Sequence, residues 1–160
     1  MKKQLPFCVV VPSYNNAQNQ LYLRNLDSIF MQNYENYHIV YIDDASTDKT
    51  GEYVKKYIEK KQIPQEKIKV IINKKKLLAL ANIYTSITEE CKSGEIVMLL
   101  DGDDSFLGRQ VMSTFNAAYQ KNRAGMVYSK YFLISNNNQG AIGGSSQRIP
   151  PEILKQDKFR

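Results

Sequence analysis

Several features that would assign a protein quickly are missing from this sequence. It holds two cysteines, Cys8 and Cys91, in 160 residues. That number excludes a disulfide framework, and both read as packing residues in a reducing compartment. No apolar run is long enough to span a bilayer. The stretch Met1 to Pro6 has no signal-peptide core. A soluble, cytoplasmic protein is expected, with membrane association only through segments missing from this chain. No G-x-G-x-x-G follows a predicted strand, which disfavours dinucleotide binding. Zinc-finger spacing and aromatic-basic RNA motifs are also missing, so nucleic acid is not an expected partner. The single histidine, His38, opens a predicted strand and reads as structural.

The residues present are those of a soluble globular domain. Lysine and arginine number 22 against 16 acidic residues, a net charge of +6. Such a balance favours anionic partners, although most of the lysines scatter over predicted helices and turns. Phe7 to Val11 is apolar and β-branched, as a buried strand requires. Leu23, Leu26, Ile29 and Phe30 then recur at helical spacing over residues 20–32. Further strands are predicted at 38–42, 67–72, 95–100 and 126–133. Further helices carry Val54 and Tyr57, then Leu77, Leu80 and Tyr84, then Val111 and Phe115. This alternation predicts an α/β fold, a Rossmann-like three-layer sandwich with a mostly parallel sheet and helices on both faces. Residues 135–146 are rich in Asn, Gly and Ser and read as loop or a frayed hairpin. The expected division is a domain over 1–134 and a loop-rich, truncated remainder over 135–160.

Polar clusters fall at the carboxyl ends of three predicted strands. The first strand ends at Pro12-Ser13-Tyr14-Asn15 and the second at Asp43-Asp44. The fourth ends at Asp101-Gly102-Asp103-Asp104, where three carboxylates occupy four positions. Carboxylates at that density repel one another unless a cation sits among them. In a parallel sheet these three ends share one edge, which is where open α/β sheets bind ligands. The donor types suit a nucleoside diphosphate with a hard divalent cation, Mn2+ or Mg2+. Asp103 and Asp101 are the candidate metal ligands. Gly102 would let ligand or metal approach the backbone closely. Tyr14 offers a face on which a base could stack, and Asp44 could accept from a base N–H. Lys74, Lys75 and Lys76 follow the third strand and could meet phosphate or base oxygens. Asp48 reads as an acid at the next helix's N-terminus, and Asp43 could share that role.

The segments Val9 to Asn16, Ile42 to Asp48 and Leu100 to Asp104 resemble, in order and spacing, the three signature segments of inverting family-2 glycosyltransferases of the glycosyltransferase A fold. The likeness runs from about Phe7 to Tyr131. It implies a nucleotide-diphospho-sugar transferase with a donor that is most often a UDP-sugar. Pro12, Ser13 and Tyr14 would border the base. Asp44 would bind the base edge, with Asp43 nearby. Asp101 and Gly102 would face ribose and sugar, Asp103 would hold the metal, and Lys76 would add a donor contact. The acceptor, a glycan, lipid or protein hydroxyl, would be met by a region beginning past Ser135.

The resemblance has gaps. Asn73 and Asn82 fit the family's third segment, but Lys75 stands where a glycine is usual and Ala81 where an arginine is usual. Gly108 replaces a frequent proline. The family's catalytic base is an acid in the acceptor-binding half, and no residue here is assigned to it. Glu152 and Asp157 are the only carboxylates after Ser135. Two rival readings remain. One is a non-catalytic or incomplete nucleotide-sugar-binding domain. The other is a nucleotidyltransferase, which would want a glycine-rich basic loop where Pro12 to Asn16 stands.

Overall fold

The computed structural model describes residues 3–122, 124–129, 131–134 and 140–143. The chain divides into two compact units, 1–123 and 124–160.

In the first unit four parallel strands stand in the order β3-β2-β1-β4: β1 (Phe7–Ser13), β2 (Tyr37–Asp43), β3 (Ile68–Ile72) and β4 (Ile96–Leu99). Between and after them run α1 (Leu21–Phe30), α2 (Thr50–Lys61), α3 (Ala79–Glu89) and α4 (Val111–Asn122). The central strand β1 is buried along its whole length. Its period-two alternation serves two cores at once. Phe7, Val9 and Val11 join Leu26 and Ile29 of α1, Val54 of α2 and Met112 of α4. Cys8 and Val10 face the other way, with Val40 and Ile42 of β2 and Ile83 of α3. Side chains that alternate across a strand therefore meet helices on both faces, as the continuous apolar run predicts.

Chain order runs outward from β1 to β3, then crosses to β4 on the far side of β1. The order reverses between β1 and β4, and open α/β sheets form a ligand crevice beyond the strand ends at such a point. Both strands end in the polar clusters singled out above.

Two expectations are corrected. Cys8 and Cys91 are not separate packing residues: their sulfurs form a disulfide joining β1 to the residue two positions after α3, with Cα atoms 5.7 Å apart. The pair lies 83 residues apart in sequence, so only the fold reveals it. The predicted strand over 126–133 is shorter and later. β5 (Tyr131–Ile134) pairs antiparallel with β6 (Gly140–Gly143), a hairpin in the second unit, while residues 126–129 carry no strand. Asp48 serves the start of α2, as expected of it. Lys49, in the left-handed region at φ 67, precedes the helix, and Asp48 accepts from the Thr50 N–H one position inside. Residues 135–139 and 144–160, and with them Glu152, Asp157 and most of the expected acceptor region, lie outside the described residues.

Leu26 is fully buried between α1 and the sheet. Leu26→Ala should lower stability by about 2–5 kcal/mol, the range for a buried leucine truncation. Urea unfolding checks this, with the midpoint moving and the slope unchanged.

Candidate functional site

The end of β1 is locked from two sides. Ser13 Oγ accepts from the Tyr41 hydroxyl (2.8 Å) and from Asn16 Nδ2 (2.9 Å). Burial pushes the Tyr41 hydroxyl far above its ordinary pKa, so it remains a donor. The loop after β1 is then fastened to the loop after β2. The Asn15 N–H donates to Ser46 Oγ (2.8 Å), the Asn16 N–H to Thr50 Oγ1 (2.8 Å) and the Ala17 N–H to Asp48 Oδ2 (2.8 Å). Short polar side chains around the start of α2 thus brace two strand-end loops against each other.

The adjacent carboxylates Asp43 and Asp44 part company. Successive residues of an extended chain point to opposite sides. Asp43 turns toward α2, accepts from the Ser46 hydroxyl, and lies where a Cβ on Gly51 would meet its Oδ2 at 2.6 Å. Burial raises its pKa, opposed in part by donors from Ser46 and Gly51. It does not line the cleft described below.

Asp44 turns the other way, into the segment between β3 and α3. Its Oδ1 accepts from Asn73 Nδ2 and from the Leu77 N–H, and its Oδ2 from the Leu78 N–H, each at 2.8 Å. Burial alone would raise its pKa. The donors from Leu77, Asn82, Asn73 and Leu78 outweigh burial and hold it at about 2. Leu78 has φ 71, a strained conformation for leucine, and its N–H is one of those bound by Asp44. The carboxylate therefore fixes the entry to α3. Asn82, 3 % exposed, accepts at Oδ1 from Asn73 Nδ2 (2.8 Å), and its side-chain amide helps keep Asp44 charged.

The acidic turn after β4 is built on α1. Asn25 is fully buried, and its Nδ2 donates to the carbonyls of Asp101 (3.0 Å) and Asp104 (2.9 Å). The Gly102 N–H donates to the Pro12 carbonyl (2.9 Å), drawing the turn against the end of β1. A Cβ on Gly102 would stand 2.7 Å from Ser13 Cβ and 2.6 Å from Asn16 Nδ2. The glycine is thus demanded by contact between two protein segments, where the sequence suggested room for a ligand. Asp101 and Asp103 are exposed. Burial raises the Asp104 pKa, and the charges of Asp103 and Asp101 raise it further.

These ends border one cleft of about 300 Å³, lined by Pro12, Ser13, Tyr14, Asp44, Asp101 and Asp103. Lys76, Leu78, Ala79, Asn82 and Asn16 complete its wall. Of the sequence candidates, Asp43, Gly102, Lys74 and Lys75 are not in the lining. Across the cleft the Lys76 ammonium sits 3.4 Å from the centre of the Tyr14 ring. The two candidates expected to meet base and phosphate separately instead meet each other, as a cation and an aromatic face do. Among the described residues the ion pairs are His38–Glu95 and Lys69–Glu90, so no basic side chain neutralises Asp101 or Asp103. Two exposed carboxylates without a counter-charge at a cleft rim fit a hard, oxygen-seeking divalent cation.

Sequence reasoning missed Asn25 and undervalued Asn16. Asn25 did leave a signal: it is a polar residue beside Leu26 and one turn before Ile29, on the inward stripe of a helix.

The family Glycosyl transferase family 2 matches residues 8–158. Among curated proteins, the UDP-Glc:alpha-D-GlcNAc-diphosphoundecaprenol beta-1,3-glucosyltransferase WfgD of Escherichia coli is 25% identical over 130 residues, covering 81% of this chain and 47% of that protein. The amylovoran biosynthesis glycosyltransferase AmsB of Erwinia amylovora is 26% identical over 104 residues, covering 65% of this chain and 33% of that protein. The chain thus spans a third to a half of these two relatives' lengths. Among solved structures, the mannosyltransferase PcManGT from Pyrobaculum calidifontis, in complex with GDP-Man and Mn2+, superposes with TM-score 0.61 at 27% identity, over 73% of this chain and 32% of that one. S. aureus TarS 1–349 in complex with UDP-GlcNAc gives TM-score 0.59 at 24% identity, over 74% of this chain and 32% of that one. These are glycosyltransferase A folds.

Two outcomes follow from the geometry. Asp44 has a folded pKa of about 2 against an ordinary 3.8. Its contribution is complete above pH 4 and is lost as pH falls through 2, and the shift corresponds to about 2 kcal/mol. Asp44→Asn should be less stable at pH 7 and should lack that part of the acid-induced loss, as denaturation at stepped pH would measure. Gly102→Ala should push the acidic turn off Ser13, costing about 1–3 kcal/mol in the same assay as an overpacked site does.

Proposed function

The chain belongs to glycosyl transferase family 2, and on that footing we propose that it forms the donor-binding part of an enzyme that transfers a sugar from a nucleotide-diphospho-sugar. The donor in this reading is a UDP-sugar, the acceptor a hydroxyl of a glycan, lipid or protein, and the anomeric carbon inverts. Residues 1–134 form the donor domain and 135–160 begin the acceptor region. The reading also takes the cytoplasm as its compartment, where Cys8 and Cys91 would be kept reduced.

The observation that carries the proposal is the shared cleft. Tyr14, Asp44, Lys76, Asp101 and Asp103 come from four separate segments and line one hollow at the ends of parallel strands. A UDP donor is favoured by the name of WfgD, a UDP-Glc transferase, and a metal by the Mn2+ in PcManGT. Asp103 and Asp101 would hold Mn2+ or Mg2+, which when bound offsets charge on the departing diphosphate. Tyr14 and Pro12 would border the base. Asp44 already spends three acceptor positions on Asn73, Leu77 and Leu78, so its direct contribution to a base is at most one further bond. Its larger role is to hold the wall formed by Leu78 and Ala79 in place. Lys76 would approach phosphate oxygens from the rim. The protein's work is then positioning and fixed charge.

Coverage of a third to a half of two relatives favours a second reading, a donor half that transfers nothing without further chain. Calorimetric titration of UDP tests the first point. Binding should strengthen with Mn2+, and Asp103→Ala should remove most of that gain. Affinity indifferent both to Mn2+ and to the substitution would overturn the metal-assisted site. If UDP binds with Mn2+ and no sugar is released or transferred until further chain is appended, the donor-half reading holds.

A further inference from the structure

At the opposite end of the sheet lies a second cluster that the donor site does not use. Cys8 of β1 and His38 of β2 are register partners on adjacent parallel strands, so their side chains share a face. Glu95 stands one residue ahead of β4, and its Oε2 lies 2.9 Å from His38 Nε2. Ligand atoms of Cys8, His38 and Glu95 all fall within 4.8 Å of one another. Cys91 reaches the same spot from the end of α3, because it is bonded to Cys8. Four potential ligands thus converge from four segments of the chain.

Their chemistry differs from that of the cleft. Asp101 and Asp103 offer hard oxygens alone. Once the disulfide opens, this cluster offers two sulfurs, an imidazole nitrogen and a carboxylate oxygen. Those are the donor types that Zn2+ takes in four-coordinate sites. Bonds of about 2.0–2.3 Å set tetrahedral ligand atoms roughly 3.3–3.8 Å apart, within the spread found here. Cys8 is fully buried, while the His38 and Glu95 side chains are 20% and 10% exposed, so the cluster has an open side for entry. Glu95 is further oriented by the Lys92 N–H at 2.7 Å, the kind of outer support that ligating carboxylates use.

We propose that Cys8, Cys91, His38 and Glu95 form a zinc site in the reduced protein, interchangeable with the disulfide. The step balances simply. A dithiol reductant gives two electrons and two protons to the Sγ–Sγ bond, leaving two thiols, and is itself oxidised to a disulfide. Zn2+ then displaces the two thiol protons to solvent. Both states tie the end of α3 to β1, and the start of α3 forms a wall of the cleft.

Cobalt serves as the optical probe because thiolate-to-Co2+ charge transfer absorbs in the near ultraviolet, whereas an oxygen-only site gives no such band. The chain is reduced with a dithiol, desalted without oxygen and titrated with Co2+, with far-ultraviolet dichroism confirming the fold. The expected result is one thiolate-bound Co2+ per chain, displaced by Zn2+ and missing in the oxidised chain. Cys91→Ser should lose most of the band, and His38→Ala should weaken Zn2+ binding by about tenfold or more. Asp103→Ala should keep the band, which separates this site from the cleft. Reduced, folded wild-type chain without a thiolate band would overturn the proposal, as would a band insensitive to His38→Ala or lost in Asp103→Ala. The comparison of oxidised and reduced wild type needs no variant to fold.

Discussion

A carboxylate held at 4 % exposure is tolerable only if donors meet its charge, and Asp44 is met by three N–H groups from one segment. That segment leads into α3. The same carboxylate belongs to the residue whose own N–H donates to the Ser13 carbonyl. One residue therefore ties the ends of β1 and β2 to the start of α3. It also holds Leu78 in a backbone conformation that leucine avoids. The cleft owes its wall to an ionised group, so its shape is an electrostatic property as much as a packing one.

The opposite wall depends on contact without charge. Gly102 lies against Ser13 and Asn16 because it has no Cβ, and Asn25 holds the turn from below through two carbonyls. Asp101 and Asp103 are thereby left exposed on a braced turn. Their backbone is fixed while their carboxylates stay free, which is the combination a metal-binding rim needs.

Much of this was legible in the sequence because hydrophobic runs that stop at polar clusters mark strand ends. Strands β1 to β4 and the three clusters after β1, β2 and β4 are where the pattern puts them. The parting of Asp43 and Asp44 was not legible, since neighbours in sequence carry no label for which side they face. Gly102 was legible as a point of close approach, while its contact with Ser13 and Asn16 was not. The Cys8–Cys91 bond and the Tyr14–Lys76 contact lay beyond reach because each joins segments that only the assembled sheet makes neighbours. The bounds of β5 failed differently. Residues 126–129 are apolar enough to extend a strand, but among the described residues the pairing runs from Tyr131 to Ile134.

The Tyr14–Lys76 contact changes what stacking means in this cleft. A flat ligand that takes that face of the ring does not occupy vacant surface; it evicts an ammonium. The gain is the difference between two contacts of similar strength, about 1 kcal/mol each, so the ring alone discriminates weakly between occupied and idle states. The evicted charge is set loose at the rim, where an anionic tail on the same ligand would engage it. A molecule carrying both parts, a plane and a negative charge at the separation these two side chains span, would then be favoured over one carrying either alone.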